Sequence, residues 1–266
     1  MKCEIRYIES AAGRMRVVIL RPRDQRGPLP GILWIHGGGY MLGMADMVHA
    51  SCGKLLAKRY GAVVVSPAYR LAGEAPFPAA LEDCYAALLY FYLHADELGI
   101  RRDAIVVGGE SAGGGLAVAT CLLARDMGEV PVAFQIPLYP MLDSNDTPSS
   151  RDNHGKVWNT RRNHWGWRHY LAELQSTDWV PAYASPAHAT DYSGLPPCYT
   201  YVSDGEPFYD ETLAYVENLR AAGVKAEVDV FPGDMHAFDL LCPWTRKARA
   251  AHNKLYSTYE NAVACP

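Results

Sequence analysis

The strongest constraint on the fold of this chain is a serine flanked by glycines between an apolar segment and a run of small residues. Residues 109–113 read Gly-Glu-Ser-Ala-Gly; they follow the apolar run 104–107 and precede a small-residue helical run, 114–124. A strand, a sharp turn and a helix in this order hold a serine hydroxyl clear of the sheet. Side chains at Gly109 and Gly113 would collide across such a turn. The pattern predicts that Ser111 lies on a strained turn before a helix N-terminus.

Length, charge and cysteine content exclude several classes of protein. A chain of 266 residues fits one large α/β domain, and its net charge of −4 provides no basic footprint for nucleic acid. No apolar run reaches the length of a membrane span, and the first six residues lack the apolar region of a signal peptide, so we expect a cytoplasmic protein. The seven cysteines show no C-x-x-C spacing, which argues against a zinc site and a disulfide framework.

Segments of strand character alternate with segments of helical character along the chain. The predicted strands are residues 3–9, 15–21, 31–35, 62–66, 104–107, 132–137, 198–202 and 225–231. The predicted helices are residues 48–59, 79–96, 114–124, 161–175, 209–222 and 244–262. This alternation predicts an α/β fold with a mostly parallel sheet of about eight strands and helices on both faces.

One polar segment interrupts the alternation. Residues 144–185 hold four of the six tryptophans, namely Trp158, Trp165, Trp167 and Trp179. We interpret this segment as a small helical lid inserted into a single domain that spans residues 1–266. Its tryptophans either line a pocket or pack the lid onto the body of the domain, and the sequence leaves both interpretations open.

Four loops at the carboxyl ends of predicted strands carry candidate functional groups. They comprise residues 36–40, 110–112, 203–210 and 232–238. In open α/β sheets such loops meet in one crevice, so residues that are distant in the sequence can come together. The serine, the acids and the histidine occur in that order along the chain, which is typical of one class of hydrolases.

The motifs in these loops together resemble the hormone-sensitive-lipase-type (bacterial family IV) esterases of the α/β-hydrolase superfamily. Residues 36–40 match the H-G-G-G-aromatic loop of that family, and residues 69–83 resemble its Y-R-L-A-P-E-x-x-F-P-A-A-x-x-D stretch. Residues 109–114 resemble its G-D-S-A-G-G elbow and residues 236–238 its H-G-F. The elbow differs in having Glu110 instead of aspartate. The long N-terminal cap of the family also has no counterpart among the roughly thirty residues before the H-G-G-G strand.

The resemblance implies an α/β-hydrolase fold and a serine carboxylesterase that cleaves small, short-acyl esters through an acyl-enzyme, without a metal or organic cofactor. Ser111 would be the nucleophile, and His236 would take its proton and later protonate the leaving alcohol. The backbone N–H groups of Gly38, Gly39 and Ala112 would stabilise the developing oxyanion. The shortened cap predicts an acyl pocket that favours acetyl to butyryl esters.

Three acids in one loop compete for the position beside His236. Alignment of residues 206–211 with the family motif D-P-L-x-D-E puts Glu206 at the catalytic position, and we predict that Glu206 pairs with His236. Asp204 lies in an Asp-Gly turn and is the alternative. Asp210 falls at the start of the next helix, where an acid is favoured by the helix dipole.

Several other conspicuous side chains are predicted to be structural. His36 would brace the backbone of the glycine loop. Glu110 is adjacent to the nucleophile in sequence, so its side chain should point the other way. We expect Asp83 to be a helix-surface carboxylate and Asp143 to be a loop carboxylate.

The resemblance also leaves other functions open. Plant gibberellin receptors share this fold but lack the catalytic histidine, whereas His236 is present here. Plant isoflavanone dehydratases keep the H-G-G-G loop, and an amidase or peptidase activity is compatible with the same site. The sequence does not identify the physiological ester, its stereochemistry or the oligomeric state, although the resemblance suggests a homodimer formed through the last strand and helix.

Overall fold

The computed structural model describes residues 1–176 and 179–263, and these residues are organised around one sheet of eight strands. The strands are β1 (Lys2–Ser10), β2 (Gly13–Arg21), β3 (Leu29–Ile35), β4 (Val63–Pro67), β5 (Ile100–Glu110), β6 (Phe134–Leu138), β7 (Cys198–Ser203) and β8 (Ala226–Phe231). Their spatial order is β1-β2-β4-β3-β5-β6-β7-β8. β2 is antiparallel to both of its neighbours and the other pairs are parallel. The predicted fold class and strand number are therefore confirmed.

Helices cover both faces of the sheet, which explains why the central strands are apolar without interruption. They are α1 (Cys52–Tyr60), α2 (Ala79–Leu93), α3 (Ala95–Leu98), α4 (Ala112–Met127), α5 (Pro148–Arg151), α6 (Thr160–Tyr170), α7 (Tyr209–Ala221), α8 (Phe238–Leu241) and α9 (Arg246–Val263). Along β3, Leu33 and Ile35 enter the core under α2 and α4, whereas Ile32 and Trp34 enter the core under α1 and α9. None of the helices in the described residues has both the length and the hydropathy to cross a bilayer.

Two predicted helices are interrupted in the structure. The segment predicted as one helix over residues 48–59 is a 3-10 helix (Ala45–Ala50) followed by α1. Ser51 separates them because it adopts an extended conformation and its side chain accepts a hydrogen bond from the Lys54 N–H at 3.2 Å, which caps α1. The segment predicted as one helix over residues 79–96 divides at His94 into α2 and α3.

The tryptophan-rich segment 144–185 connects β6 to β7 and contains α5 and α6. α6 turns Gly166, Trp167 and Tyr170 towards the body of the protein, and the Tyr170 ring stacks on the Tyr40 ring with centroids 4.0 Å apart. The predicted helix over residues 161–175 ends earlier, at Tyr170, and a 3-10 turn follows. Residues 177–178 of the predicted lid and residues 264–266 of the predicted domain lie outside the described residues.

Candidate active site

The serine of the elbow occupies the strained position that its flanking glycines predict. β5 ends at Glu110, α4 begins at Ala112, and Ser111 between them has φ 59° and ψ −123°. A non-glycine residue in this region costs on the order of 1–3 kcal/mol, so the surrounding structure must hold it there. A Cβ atom on Gly109 would lie 2.5 Å from the carbonyl oxygen of Gly113, so a side chain there would collide across the turn.

The structure brings Ser111, His236 and Glu206 into one line of contacts. Nε2 of His236 lies 2.9 Å from Oγ of Ser111, and Nδ1 of the same ring is hydrogen-bonded to Oε2 of Glu206. The second carboxylate oxygen of Glu206 accepts the backbone N–H of Ser203 at 2.8 Å. All three side chains are buried, with Glu206 fully inaccessible to solvent. Such an arrangement can move a proton from the hydroxyl to the ring and stabilise the charge that forms on the ring.

The two competing acids are engaged elsewhere. Oδ1 of Asp204 accepts the backbone N–H of Gly233 at 2.8 Å, which ties the ends of β7 and β8 together. Oδ2 of Asp210 accepts the backbone N–H of Ser149 at 2.7 Å, at the start of α5. Of the three candidates, Glu206 is therefore the acid that reaches His236.

Two aromatic rings that the sequence analysis did not identify hold the His236 ring in place. Tyr139 meets it edge-on with centroids 5.0 Å apart, and Phe208 does the same at 5.1 Å. Both rings are fully buried. Tyr139 lies in the loop after β6 and Phe208 in the loop after β7, so their position after the carboxyl ends of strands is the signal that could have identified them.

The glycine loop after β3 passes directly over the nucleophile. Gly38 has φ 127° and Gly39 has φ 62°, and a Cβ atom on either would come within 2.1 Å of Leu42 or Trp158, respectively. The described residues contain no hydrogen-bond acceptor for the N–H groups of Gly38 and Gly39. Ala112 opens α4, so its N–H is among the amides that a helix leaves free at its N-terminus. The three predicted oxyanion donors thus lie on the two loops that meet above the sheet.

His36 lies at the start of the glycine loop, and its side chain is held by contacts with the surrounding protein. Its Nδ1 lies 2.9 Å from the carbonyl oxygen of Gly37, and its ring stacks on Tyr69 with centroids 4.2 Å apart. The Tyr69 hydroxyl donates to the His36 carbonyl oxygen at 2.9 Å. Burial lowers the pKa of His36 to about 4, so the ring is neutral at physiological pH. These contacts agree with the predicted bracing role.

Glu110 is bonded to groups away from the catalytic hydroxyl. Its two carboxylate oxygens accept the Trp34 indole N–H at 2.6 Å and the Cys52 backbone N–H at 3.1 Å. Burial raises the pKa of Glu110 to about 8. The carboxyl therefore links β5 to α1, in keeping with the predicted structural role.

The prediction for Asp83 is wrong. Instead of lying on the helix surface, Asp83 is 1% exposed and accepts the Arg70 Nε–H at 2.8 Å and the Arg70 backbone N–H at 2.9 Å. Helical periodicity does not reveal this, because Asp83 lies on the buried face of α2 and the cation that pairs with it comes from the preceding loop. Asp143 is half-buried, and its Oδ1 lies 3.2 Å from Nε2 of His188.

A mostly apolar cavity of about 360 Å³ opens above the Ser111 hydroxyl. Its apolar walls include Met47, Val48, Val157, Trp158, Leu240 and Leu241. Trp158 also approaches the His236 ring, with centroids 6.5 Å apart, whereas Trp167 packs against Tyr40 with centroids 5.3 Å apart. Both interpretations of the lid tryptophans therefore hold, each for a different residue.

One cluster of potential metal ligands lies away from the cavity lining. Among residues 1–176 and 179–263, Cys52, Asp239 and His252 bring their donor atoms within 4.8 Å of one another. Asp239 already accepts the Tyr201 hydroxyl at 2.7 Å and the Cys52 thiol at 3.4 Å. We interpret the cluster as a buried hydrogen-bonded network around Asp239 that joins α1, β7, α8 and α9.

Comparison with protein families agrees with this geometry. A family model described as the alpha/beta hydrolase fold matches residues 32–240. The chain is 37% identical over 201 residues to esterase LipI of Mycobacterium tuberculosis, covering 75% of this chain and 62% of LipI. It is 36% identical over 223 residues to carboxylesterase NlhH of the same organism, covering 82% of this chain and 69% of NlhH. The chain thus spans about two thirds of the length of these relatives.

Solved structures of esterases superpose on nearly the whole chain. A bacterial heroin esterase superposes with a TM-score of 0.94 and 36% identity, over 99% of this chain and 85% of the other. An esterase from Pyrobaculum calidifontis superposes with a TM-score of 0.90 and 35% identity, over 99% of this chain and 87% of the other.

Proposed function

Because this chain belongs to the α/β-hydrolase family, in its hormone-sensitive-lipase-type branch, we propose that it is a serine carboxylesterase with a triad of Ser111, His236 and Glu206. The observation that carries the proposal is the unbroken line of contacts from the Ser111 hydroxyl through both ring nitrogens of His236 to Glu206. The relatives named above are esterases, which agrees with the enzyme class expected from the sequence. A receptor without catalysis would not need this line of contacts.

In the proposed acylation step, Nε2 of His236 takes the proton of Ser111 while Oγ attacks the ester carbonyl carbon. The carbonyl oxygen becomes an oxyanion that accepts N–H groups of Gly38, Gly39 and Ala112, and each such donor is typically worth about 3 kcal/mol of barrier. The intermediate collapses, the bond to the alkoxy oxygen breaks, and His236 gives its proton to the leaving alcohol. Water then repeats the sequence on the acyl-enzyme, with His236 again as base, and releases the acid.

Glu206 acts through His236 in this mechanism. Its carboxylate accepts the Nδ1–H, which fixes the tautomer that leaves Nε2 free to accept a proton. The Ser203 N–H holds the other carboxylate oxygen at 2.8 Å, so the acid keeps its orientation when the ring becomes charged. Full burial of Glu206 excludes water that would screen the pair.

The cavity supports a preference for small esters with short acyl chains. Its walls are apolar, its volume is about 360 Å³, and Trp158 stands against Gly39 beside the nucleophile. We expect p-nitrophenyl acetate to butyrate to be the best substrates in a chain-length series. A maximum at octanoate or longer would contradict this preference.

The tryptophan-rich segment has a place in the proposed function as a lid over the cavity. Residues 144–185 act as a lid of a single domain, since Val157 and Trp158 of this segment line the cavity.

The proposed steps use only groups of this chain, so protein treated with EDTA should keep its full turnover. The homodimer through β8 and α9 and the cytoplasmic location stay predictions; light scattering tests the former.

An active-site label tests the mechanism directly. A fluorophosphonate should form one covalent adduct, which peptide mass spectrometry should locate on Ser111, and the Ser111→Ala variant should remain unlabelled. An adduct on a different residue would overturn the triad. A panel of esters, anilides and a hydroxyisoflavanone at one pH then separates esterase from amidase and dehydratase activity.

A further inference from the structure

Large apolar side chains are exposed around the mouth of the catalytic cavity. We call Leu42, Met44, Met47, Leu241 and Trp244 the mouth patch; their exposed fractions lie between 45% and 69%. Met47 and Leu241 line the cavity itself, and Met44 and Trp244 each lie three residues along the chain from one of them. Apolar side chains concentrated at one place on a surface commonly mark a site of interaction.

The patch continues onto the outer face of the proposed lid. Leu42, Arg161 and Trp165 line a shallow depression, and Val157 and Trp158 line both this depression and the catalytic cavity. The outer face of α6 therefore presents both apolar and basic side chains next to the cavity mouth.

The chain is acidic overall but basic on both sides of this mouth. Residues 151–170 contain five Lys and Arg against one Asp, and residues 241–249 contain three against no acid, although the net charge of the chain is −4. Arg161 and Arg246 are both exposed. The acid nearest in sequence to the exposed methionines, Asp46, is paired with the Arg16 guanidinium, so it does not present a free negative charge.

We propose that the mouth patch docks this protein on anionic lipid bilayers. Apolar side chains flanked by Lys and Arg complement a surface of anionic headgroups over acyl chains, which is the arrangement that peripheral proteins use at membrane interfaces. A protein partner would need a complementary shape, whereas a fluid interface accommodates protruding side chains from separate segments. Docking would present the cavity to esters dissolved in the bilayer, but the docking itself does not depend on the proposed chemistry.

Vesicle sedimentation tests the proposal with the full chain carrying Ser111→Ala, so that turnover plays no part. We expect at least about tenfold more protein to bind vesicles of phosphatidylcholine and phosphatidylglycerol in equal amounts than vesicles of phosphatidylcholine alone. Added salt should weaken this binding, because it screens the attraction of the basic residues.

Substitutions in the patch should separate the apolar contribution from the charge contribution. One double variant removes apolar side chains, Leu42→Ser with Trp244→Ser, and a second reverses charges, Arg161→Glu with Arg246→Glu. Each double variant should reduce binding to anionic vesicles about tenfold. None of these four side chains lines the catalytic cavity. When the same substitutions are made in protein that keeps Ser111, the turnover of soluble p-nitrophenyl acetate should therefore stay unchanged.

Matched controls come from exposed apolar residues far from the mouth. Leu93 and Met127 are 61% and 54% exposed and end helices that return from the carboxyl edge of the sheet to its amino edge. Leu93→Ser with Met127→Ser should leave vesicle binding unchanged. Equal binding to both vesicle types, or an equal loss in this control, would overturn the proposal. A dimer that forms without lipid and is broken by the patch substitutions would also overturn it, because a second copy would then be the occupant.

Discussion

Two loops of this molecule each place a histidine after the carboxyl end of a strand, but the contacts of the two rings differ. His36 follows the carboxyl end of β3, and His236 follows the carboxyl end of β8. Both side chains are buried and both line the same cavity. His36 contacts a backbone carbonyl and the ring of Tyr69, whereas His236 lies between a carboxylate and a hydroxyl.

The partners of a histidine decide its role here, rather than its burial or its place in the loop. Burial disfavours the charged ring of His36, which has no carboxylate to offset the loss of water, so the ring stays neutral and serves as a brace. In the mechanism that we propose, the carboxylate of Glu206 stabilises the charged His236 ring at the moment it takes a proton.

Replacing each histidine should give very different losses of turnover. His236→Ala should lower kcat on the order of 10⁶-fold, because loss of the base removes the activation of Ser111. His36→Asn should keep kcat within about tenfold, since it alters a brace and leaves the triad contacts in place. Steady-state kinetics with p-nitrophenyl acetate, on variants shown to be folded by circular dichroism, measures both. Equal losses would erase the contrast between the loops.

The second test concerns the carboxylate that distinguishes the His236 loop. Glu206→Ala should lower kcat about 10⁴-fold, as removal of the acid does in well-studied triads. Asp204→Ala is the matched control from the same loop and should stay near wild type, because its partner is the Gly233 N–H. Collapse of turnover in Asp204→Ala with near-normal turnover in Glu206→Ala would transfer the acid role to Asp204.

The glycine loop that His36 braces should be sensitive to a single methyl group. Gly39→Ala puts a Cβ 2.1 Å from the Trp158 ring and should lower kcat about 10²–10³-fold by displacing a proposed oxyanion donor. Gly61→Ala is the control, since Gly61 has a similar φ of 73° but open space around it. It should cost about 1 kcal/mol of stability and leave kcat unchanged. Loss of activity in both variants would mean that backbone strain alone is responsible.

The neutral state of His36 should appear in the pH dependence of stability. Its pKa is lowered from 6.5 to about 4 in the folded protein, so below pH 6.5 the unfolded chain takes up a proton that the folded chain does not. The free energy of unfolding should therefore fall by about 3 kcal/mol between pH 6.5 and 4 from this group. Urea unfolding at several pH values should give a shallower fall for His36→Asn, whereas identical slopes would show that the ring is protonated in the fold.

Local chemistry in the sequence determined the elements and the motifs. Continuous apolar runs such as the one in β3 specify buried parallel strands. The glycines around Ser111 specify an elbow because of the space that a side chain would need. The meeting of the serine, acid and histidine loops in one crevice then follows from the position of each loop after the carboxyl end of a strand. Each of these signals is contained within a few consecutive residues, so it can be recognised without coordinates.

Contacts between distant segments were decided only by the tertiary structure. Periodicity gave no indication that Arg70 would bury Asp83, or that Trp158 would line the cavity while Trp167 packs the lid. The family motif predicted Glu206 among the three neighbouring acids, but its contact with Nδ1 of His236, thirty residues further along the chain, is visible only in the structure. Such contacts depend on how strands and helices pack, and packing couples side chains that have no relation in the sequence.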